Sequence, residues 1–286
     1  MAGCHDEHME TFTNDGLRFE VSDDGPADGP LVILLHGFPE DRLSWSGVTP
    51  TLAAAGCRTL APDQRGYAPG ARPRDHREYT VEKLAGDVLA LADEVGAQRF
   101  DLVGHDWGGA LAWYVAAYHP DRVRSLTALS VPHAGAVQQA FTRSTQALHL
   151  LYIPFFRLPW IPERVMGLGH GKLMRRGLLR TGLDGEHAER FARRAIQRDD
   201  LTGPLNWYRA LPAGGGLRLP PVKVPTLFVW SDRDRFVTRA AAERCGQWVT
   251  GPYRYHVLTG VSHWIPEEAP ARTGRLILDQ VRAAAD

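Results

Sequence analysis

The chain has 286 residues, room for one α/β domain carrying an insertion. Lys+Arg and Asp+Glu balance at 33 each, so no charge excess argues for nucleic acid or an anionic membrane surface as partner. Hydrophobic residues make up 44%, enough for a large core, yet the longest aliphatic run, Leu31 to Leu35, is far too short to span a bilayer. Cys4, Cys57 and Cys245 form no CxxC pair and no zinc spacing, and the start has no basic, apolar leader. The expected compartment is therefore a reducing cytoplasm.

Residues 1–7 read as a loose end. Two short strands flank an Asn14-Asp15-Gly16 turn. The apolar run 31–37 suits a strand buried on both faces of a parallel sheet, and 57–63 and 99–106 look alike. Val81, Leu84, Val88, Leu91 and Val95 recur at helical spacing, with Thr80 as N-cap and Gly96 as stop. A helix follows from about Gly108, ended by Pro120, and then a strand over 123–131. The alternation predicts an α/β fold, a mostly parallel sheet flanked by helices.

The rhythm breaks over 134–213, where helical pieces rich in arginine and aromatics are interrupted by Pro154, Pro159 and Pro162. The arginines Arg175, Arg176, Arg193 and Arg194 read as a solvated helix face. A Gly/Pro-rich return, 211–225, leads to a strand (226–232), a helix (238–249), a strand (253–263) and a final helix (270–285). The expected organisation is a core of 1–133 and 218–286, interrupted by a helical cap of 134–217. Such a cap would lie over the C-terminal edge of the sheet, where open α/β sheets bind ligands.

Gly104-His105-Asp106-Trp107-Gly108-Gly109 follows a strand and opens a helix, the setting of a nucleophile elbow. The glycines let helix and strand approach closely. A serine elbow lifts a hydroxyl into the site; this one lifts a carboxylate. The plainer alternative is that Asp106 caps the helix. Its partners would follow in the order nucleophile, acid, histidine. Asp232 and Asp234 lie just past one strand, with Asp234 preferred and Asp232 in reserve, and His263 lies in a loop past the last strand. Asp234 as a solvated loop acid and His263 as a packed loop histidine are the bland alternatives. The backbone N–H groups of Phe38 and Trp107 would form an oxyanion hole.

A carboxylate of ordinary pKa, about 3.9, is ionised at neutral pH and needs no base to attack. Attack on an ester would give an anhydride; attack on an sp³ carbon with a leaving group gives a simple alkyl ester. The electrophile is then an epoxide or an alkyl halide.

The motifs "HGFPE" (36–40), "DQRGYAPGARP" (63–73), "GHDWGG" (104–109), "NWYR" (206–209) and "GVSHW" (260–264) together resemble the α/β-hydrolase superfamily, and within it the epoxide hydrolases. The resemblance implies a helical cap whose two tyrosines reach over the nucleophile. "NWYR" gives Tyr208. The looser "LYIPFFRLPW" gives Tyr152, departing from the pattern at Pro154 and at Arg157, where Gln is usual. Ordinary cap packing is the alternative for both.

The expected reaction is then epoxide plus water to vicinal diol. Asp106 opens the ring, Tyr208 and Tyr152 protonate the oxygen, and His263, oriented by Asp234, activates water against the ester. No metal or organic cofactor is needed. Haloalkane dehalogenase is the alternative, since Trp107 also occurs there as a halide donor, but Phe38 lacks the second donor side chain that such enzymes place at that position. A non-catalytic ligand-binding protein of the same fold is a further alternative. Phe155, Phe156, Trp160 and Trp207 suggest an apolar pocket, or equally a cap core. A homodimer is compatible with the sequence, which does not determine the oligomeric state.

Overall fold

The computed structural model describes residues 8–197, 201–212 and 217–285. The expectations for residues 1–7 and for the glycines of the return (213–216) lie outside the described residues. Eight strands form one sheet: β1 (Thr11–Asn14), β2 (Leu17–Asp24), β3 (Leu31–Leu35), β4 (Arg58–Pro62), β5 (Phe100–His105), β6 (Val123–Leu129), β7 (Thr226–Ser231) and β8 (Tyr253–Leu258). Their order is β1-β2-β4-β3-β5-β6-β7-β8. β1 and β2 form an antiparallel hairpin whose turn residues Asp15 and Gly16 both have positive φ. β2 meets β4 antiparallel, and β4 through β8 pair in parallel.

All five residues of β3 are buried because both sheet faces are covered. Ile33 and Leu35 enter one apolar layer, with Leu102, Leu126 and Phe228. Val32 and Leu34 enter the other, with Val103, Leu129 and Val229. The period of two along a strand sends alternate residues to opposite layers, which is why the run is apolar throughout. Each such side chain contributes about 1.5–3 kcal/mol of transfer free energy.

The stretch expected to be one helix over 238–249 is a four-residue helix, Arg239–Ala242, followed by a 3₁₀ turn, Cys245–Trp248. The last strand ends at Leu258 rather than at 263, and His263 lies in the loop past it, five residues on.

Between β6 and β7 the described residues form seven helices, from Ala134–Phe141 to Thr202–Arg209. They have a small apolar cluster of their own, including Met174, Leu178, Phe191 and Leu205, into which the core loop contributes Trp264. Charge joins them to the sheet as well. Arg194, on the helix Gly185–Gln197, bonds Asp41, and its Nη2 bonds Asp63 at 2.6 Å. Arg42 adds a bond to Asp63 at 3.1 Å, and Arg190 lies 3.7 Å from Asp41. Burial alone would raise the Asp63 pKa, but Arg194 and the other partners hold it below the usual carboxylate range. This corrects the expectation of a solvated arginine face. Arg193 is 61% exposed as expected, whereas Arg194 is 15% exposed and ties the insertion to the core.

Candidate active site

The loops after β3, β5, β7 and β8 converge at the C-terminal ends of the parallel strands, beside the point where the order turns from β4 to β5 about β3. Asp106 sits between β5 and the helix Trp107–Tyr118 with φ +50°. The approach that produces this turn leaves no room for side chains. A Cβ on Gly104 would meet the Gly108 carbonyl oxygen at 2.2 Å, and one on Gly108 would meet the Leu35 carbonyl oxygen at 2.2 Å. Asp106 stands at the N-cap position, yet its side chain makes no capping bond. The capping alternative is thereby set aside.

The two carboxylate oxygens face different partners. Oδ1 accepts the Phe38 N–H at 2.9 Å, while Oδ2 lies 3.3 Å from His263 Nε2. Trp107 is the first helical residue, so its N–H is among those without an intrahelical acceptor. Burial would raise the Asp106 pKa; the hydrogen bond and charge of His263, together with His105 and the Phe38 N–H, hold it below the ordinary value.

Behind His263, Nδ1 contacts Asp234 Oδ2 at 2.8 Å. The other oxygen of Asp234 accepts the N–H groups of Phe236 at 2.7 Å and Val237 at 2.9 Å, which fixes its orientation. Asp232 is elsewhere, exposed and bonded to the Gly260 N–H at 2.7 Å, so the reserve acid does not reach the histidine. Burial disfavours charge on His263, but Asp234 and Asp106 outweigh it and push its pKa up to about 10.

A cavity of about 630 Å³ opens over these groups, lined by Asp106, Trp107, Tyr152, Tyr208, Phe236 and His263 among others. Tyr208 comes from the helix Thr202–Arg209 and is buried. Its ring meets Trp107 edge-on at 4.9 Å, Phe156 at 5.0 Å and Phe38 at 5.6 Å. Tyr152 opens the helix Tyr152–Phe156, with its ring 6.1 Å from that of Tyr208 and 5.5 Å from that of Phe236. Burial above all raises both phenol pKa values above 10, with Tyr152 and then Asp106 adding for Tyr208 and the charges of Asp106 and Asp234 adding for Tyr152, so both stay protonated.

Phe155, Phe156, Trp160 and Trp207 do not line this cavity. Phe156 packs in the ring cluster, Trp207 donates to the Arg65 carbonyl at 2.8 Å, and Trp160 is 59% exposed. The cavity wall is instead mainly aliphatic, with Val131, Val137, Leu150, Ile153 and Leu219.

Sequence reasoning missed the support of the histidine loop. The His263 carbonyl accepts from Ser130 Oγ at 2.8 Å and lies 2.8 Å from His105 Nε2. His105 Nδ1 in turn lies 2.7 Å from the buried Glu40. Burial would lower the His105 pKa, and Glu40 raises it beyond that. The positions of His105 beside Asp106, and of Glu40 inside "HGFPE", were the available signals.

A family model described as the alpha/beta hydrolase fold matches residues 30–270. The chain is 34% identical to epoxide hydrolase A of Mycobacterium tuberculosis, over 92% of this chain and 94% of that one. It is 32% identical to epoxide hydrolase 3 of Xenopus tropicalis, over 97% of this chain and 78% of that one. The crystal structure of epoxide hydrolase A from Mycobacterium thermoresistibile superposes with a TM-score of 0.80 at 27% identity, covering 95% of this chain and 97% of that one. The chain belongs to the α/β-hydrolase fold family and, within it, to the epoxide hydrolases, a group of hydrolytic enzymes. Among the described residues, no helix is long and apolar enough to cross a membrane.

Proposed function

We propose that the protein converts an apolar epoxide and water to a vicinal diol through a covalent ester on Asp106. The observation that carries the reading is one carboxylate placed between a His263–Asp234 pair and two neutral tyrosines over an apolar cavity. Asp106 Oδ2 attacks a ring carbon, the C–O bond breaks, and Tyr208 and Tyr152 protonate the departing oxygen. Oδ1, held by the Phe38 N–H, becomes the ester carbonyl oxygen.

Ester formation removes the charge of Asp106, one of the two groups that raise the His263 pKa. The histidine, its pKa thereby lowered, gives up its proton, which returns by way of solvent to the tyrosinate left by ring opening, and becomes the base for the second step. It takes a proton from water, which attacks the ester carbonyl, and the N–H groups of Phe38 and Trp107 hold the oxyanion; the acyl–oxygen bond then breaks, the imidazolium gives its proton to the departing diol oxygen, and the Asp106 carboxylate is restored. Residues 134–217 act as the cap over a core of 1–133 and 218–286. The free, buried Cys57 and Cys245 are in keeping with a reducing cytoplasm.

The dehalogenase alternative gains no support. Its halide would need a second donor beside the Trp107 indole, and Phe38 supplies no donor side chain.

The test is a product assay with an aryl epoxide and, separately, a primary alkyl bromide. Diol without bromide is expected; bromide without diol would sink the reading. His263→Gln should accumulate one substrate mass on the intact protein, and Asp106→Asn should accumulate none. An unmodified His263→Gln protein that still turns epoxide over would exclude the covalent route.

A further inference from the structure

The equal totals of basic and acidic residues hide an uneven distribution. From Phe141 to Arg180 the chain has seven lysines and arginines against one acid, Glu163, which leaves 26 against 32 in the rest. Glu163 is itself engaged by Arg209 at 2.8 Å. Arg143, Arg164, Lys172, Arg176 and Arg180 are all exposed.

The same stretch carries the exposed apolar surface. Leu148, Leu151, Trp160 and Leu168 are each more than half exposed. Apolar side chains concentrated on one part of a surface mark an interaction site. Here they interleave with the cations. On the helix Lys172–Arg180, Met174 and Leu178 turn inward to the cap's own apolar cluster. The other side presents Lys172, Leu173, Arg176, Leu179 and Arg180, which the helical period brings into one stripe. The Arg164 guanidinium lies 5.0 Å from the centre of the exposed Trp160 ring, again a cation beside an apolar group.

The apolar surface continues into the cavity. Phe141 and Leu151 line it and are also exposed, so the cavity opens within this basic, leucine-bearing region.

We propose that the surface formed by residues 141–180 docks on an anionic lipid bilayer, with the leucines and Trp160 entering the interface and the arginines and Lys172 meeting the headgroups. The mouth of the cavity then faces the membrane. The proposal is independent of which reaction the cavity supports. Tryptophan and leucine set among lysines and arginines suit the boundary between headgroups and hydrocarbon, where long basic side chains bury their stems and keep their charge in water. A second copy of the chain fits less well, because two such faces would bring like charges together.

The test is sedimentation of the full chain with lipid vesicles. One set is phosphatidylcholine alone, and the other contains about 30% phosphatidylglycerol, a source of negative surface potential. The protein should sediment with the anionic vesicles and stay in solution with the neutral ones. Raising the salt from about 0.1 M to about 1 M shortens the screening length and should weaken binding by more than tenfold. Arg176→Gln with Arg180→Gln should weaken it about 30-fold. Leu148→Ser with Leu168→Ser should weaken it by at least tenfold. All four side chains are exposed, so the thermal unfolding midpoint of both double variants should stay near that of the wild type, which separates lost docking from lost folding.

Absence of binding to anionic vesicles overturns the proposal. If the wild type is then a dimer by light scattering and Leu148→Ser with Leu168→Ser makes it a monomer, the face is an interface between copies. Equal binding to both vesicle types overturns it too, since the cations then contribute nothing. Anionic binding unchanged in both double variants places the contact elsewhere and overturns it as well.

Discussion

Every residue of β3 is buried, whereas eight of the ten large apolar side chains left exposed among the described residues lie between Phe141 and Leu179, in the inserted helices. The core therefore places Asp106, Asp234 and His263 from loops anchored on a sheet that is apolar on both faces, with close approaches that admit no extra atom. The insertion places Tyr208 and Tyr152 through ring contacts, a small apolar cluster and a set of arginine–carboxylate bonds. The proposed nucleophile and base are thus fixed by backbone, and the proposed proton donors by side-chain packing. Error should be tolerated far less on the first side than on the second.

Gly108→Ala should have the largest effect. Its Cβ would meet the Leu35 carbonyl oxygen at 2.2 Å, so either the elbow opens or the sheet shifts. A loss of about 4 kcal/mol or more in denaturant unfolding is expected; a mild loss would mean that the core is as forgiving as the insertion. Arg194→Ala comes next. It leaves the buried Asp41 and Asp63 short of a partner, and unfolding free energy should fall by about 3 kcal/mol. Unchanged stability would mean that apolar packing alone seats the cap.

Tyr208→Phe removes one of two donors to the departing oxygen. The ring-opening step should slow by about 30-fold, roughly 2 kcal/mol, while the ring packing is kept. Tyr152→Phe should slow it less, because Tyr152 is the less enclosed ring. The reverse order would move the principal donor to Tyr152.

The smallest effect is a shift in pH dependence. Ring opening needs ionised Asp106, whose pKa is lowered, so its single-turnover rate should stay flat from pH 6 to 9. Ester hydrolysis needs neutral His263, so its rate should rise with pH, with an inflection below the value of about 10 that the ionised Asp106 sustains before alkylation. Hydrolysis that falls with rising pH would remove His263 as the base.

The core was largely legible in the sequence because its signals are local. Glycines flank Asp106 where the approach demands them, and continuous apolar runs mark strands covered on both faces. What escaped was set by distant partners. The polar side of the helix carrying Arg193 and Arg194 reads as solvated, and nothing in that segment shows that Asp41 and Asp63, more than 130 residues earlier, meet Arg194. The choice between Asp232 and Asp234 likewise needed the loop geometry, since both follow the same strand. The break of the 238–249 stretch after Ala242 has no equivalent warning, because its apolar spacing fits a longer helix.

The unequal surroundings of the two Asp106 oxygens give the proposed mechanism a consequence for individual atoms. On the proposed mechanism Oδ2, turned toward His263 and the cavity, forms the bond to carbon, while Oδ1 stays against the Phe38 N–H. If water then attacks the carbonyl carbon and the acyl–oxygen bond breaks, the oxygen leaving with the diol would be the one that belonged to the protein, and the water oxygen would remain in Asp106. A single turnover in water enriched with heavy oxygen should release an unlabelled diol and leave the isotope in the peptide containing Asp106. Each catalytic cycle would then renew one atom of the polypeptide, and the enzyme would hand to its product an oxygen acquired in the cycle before.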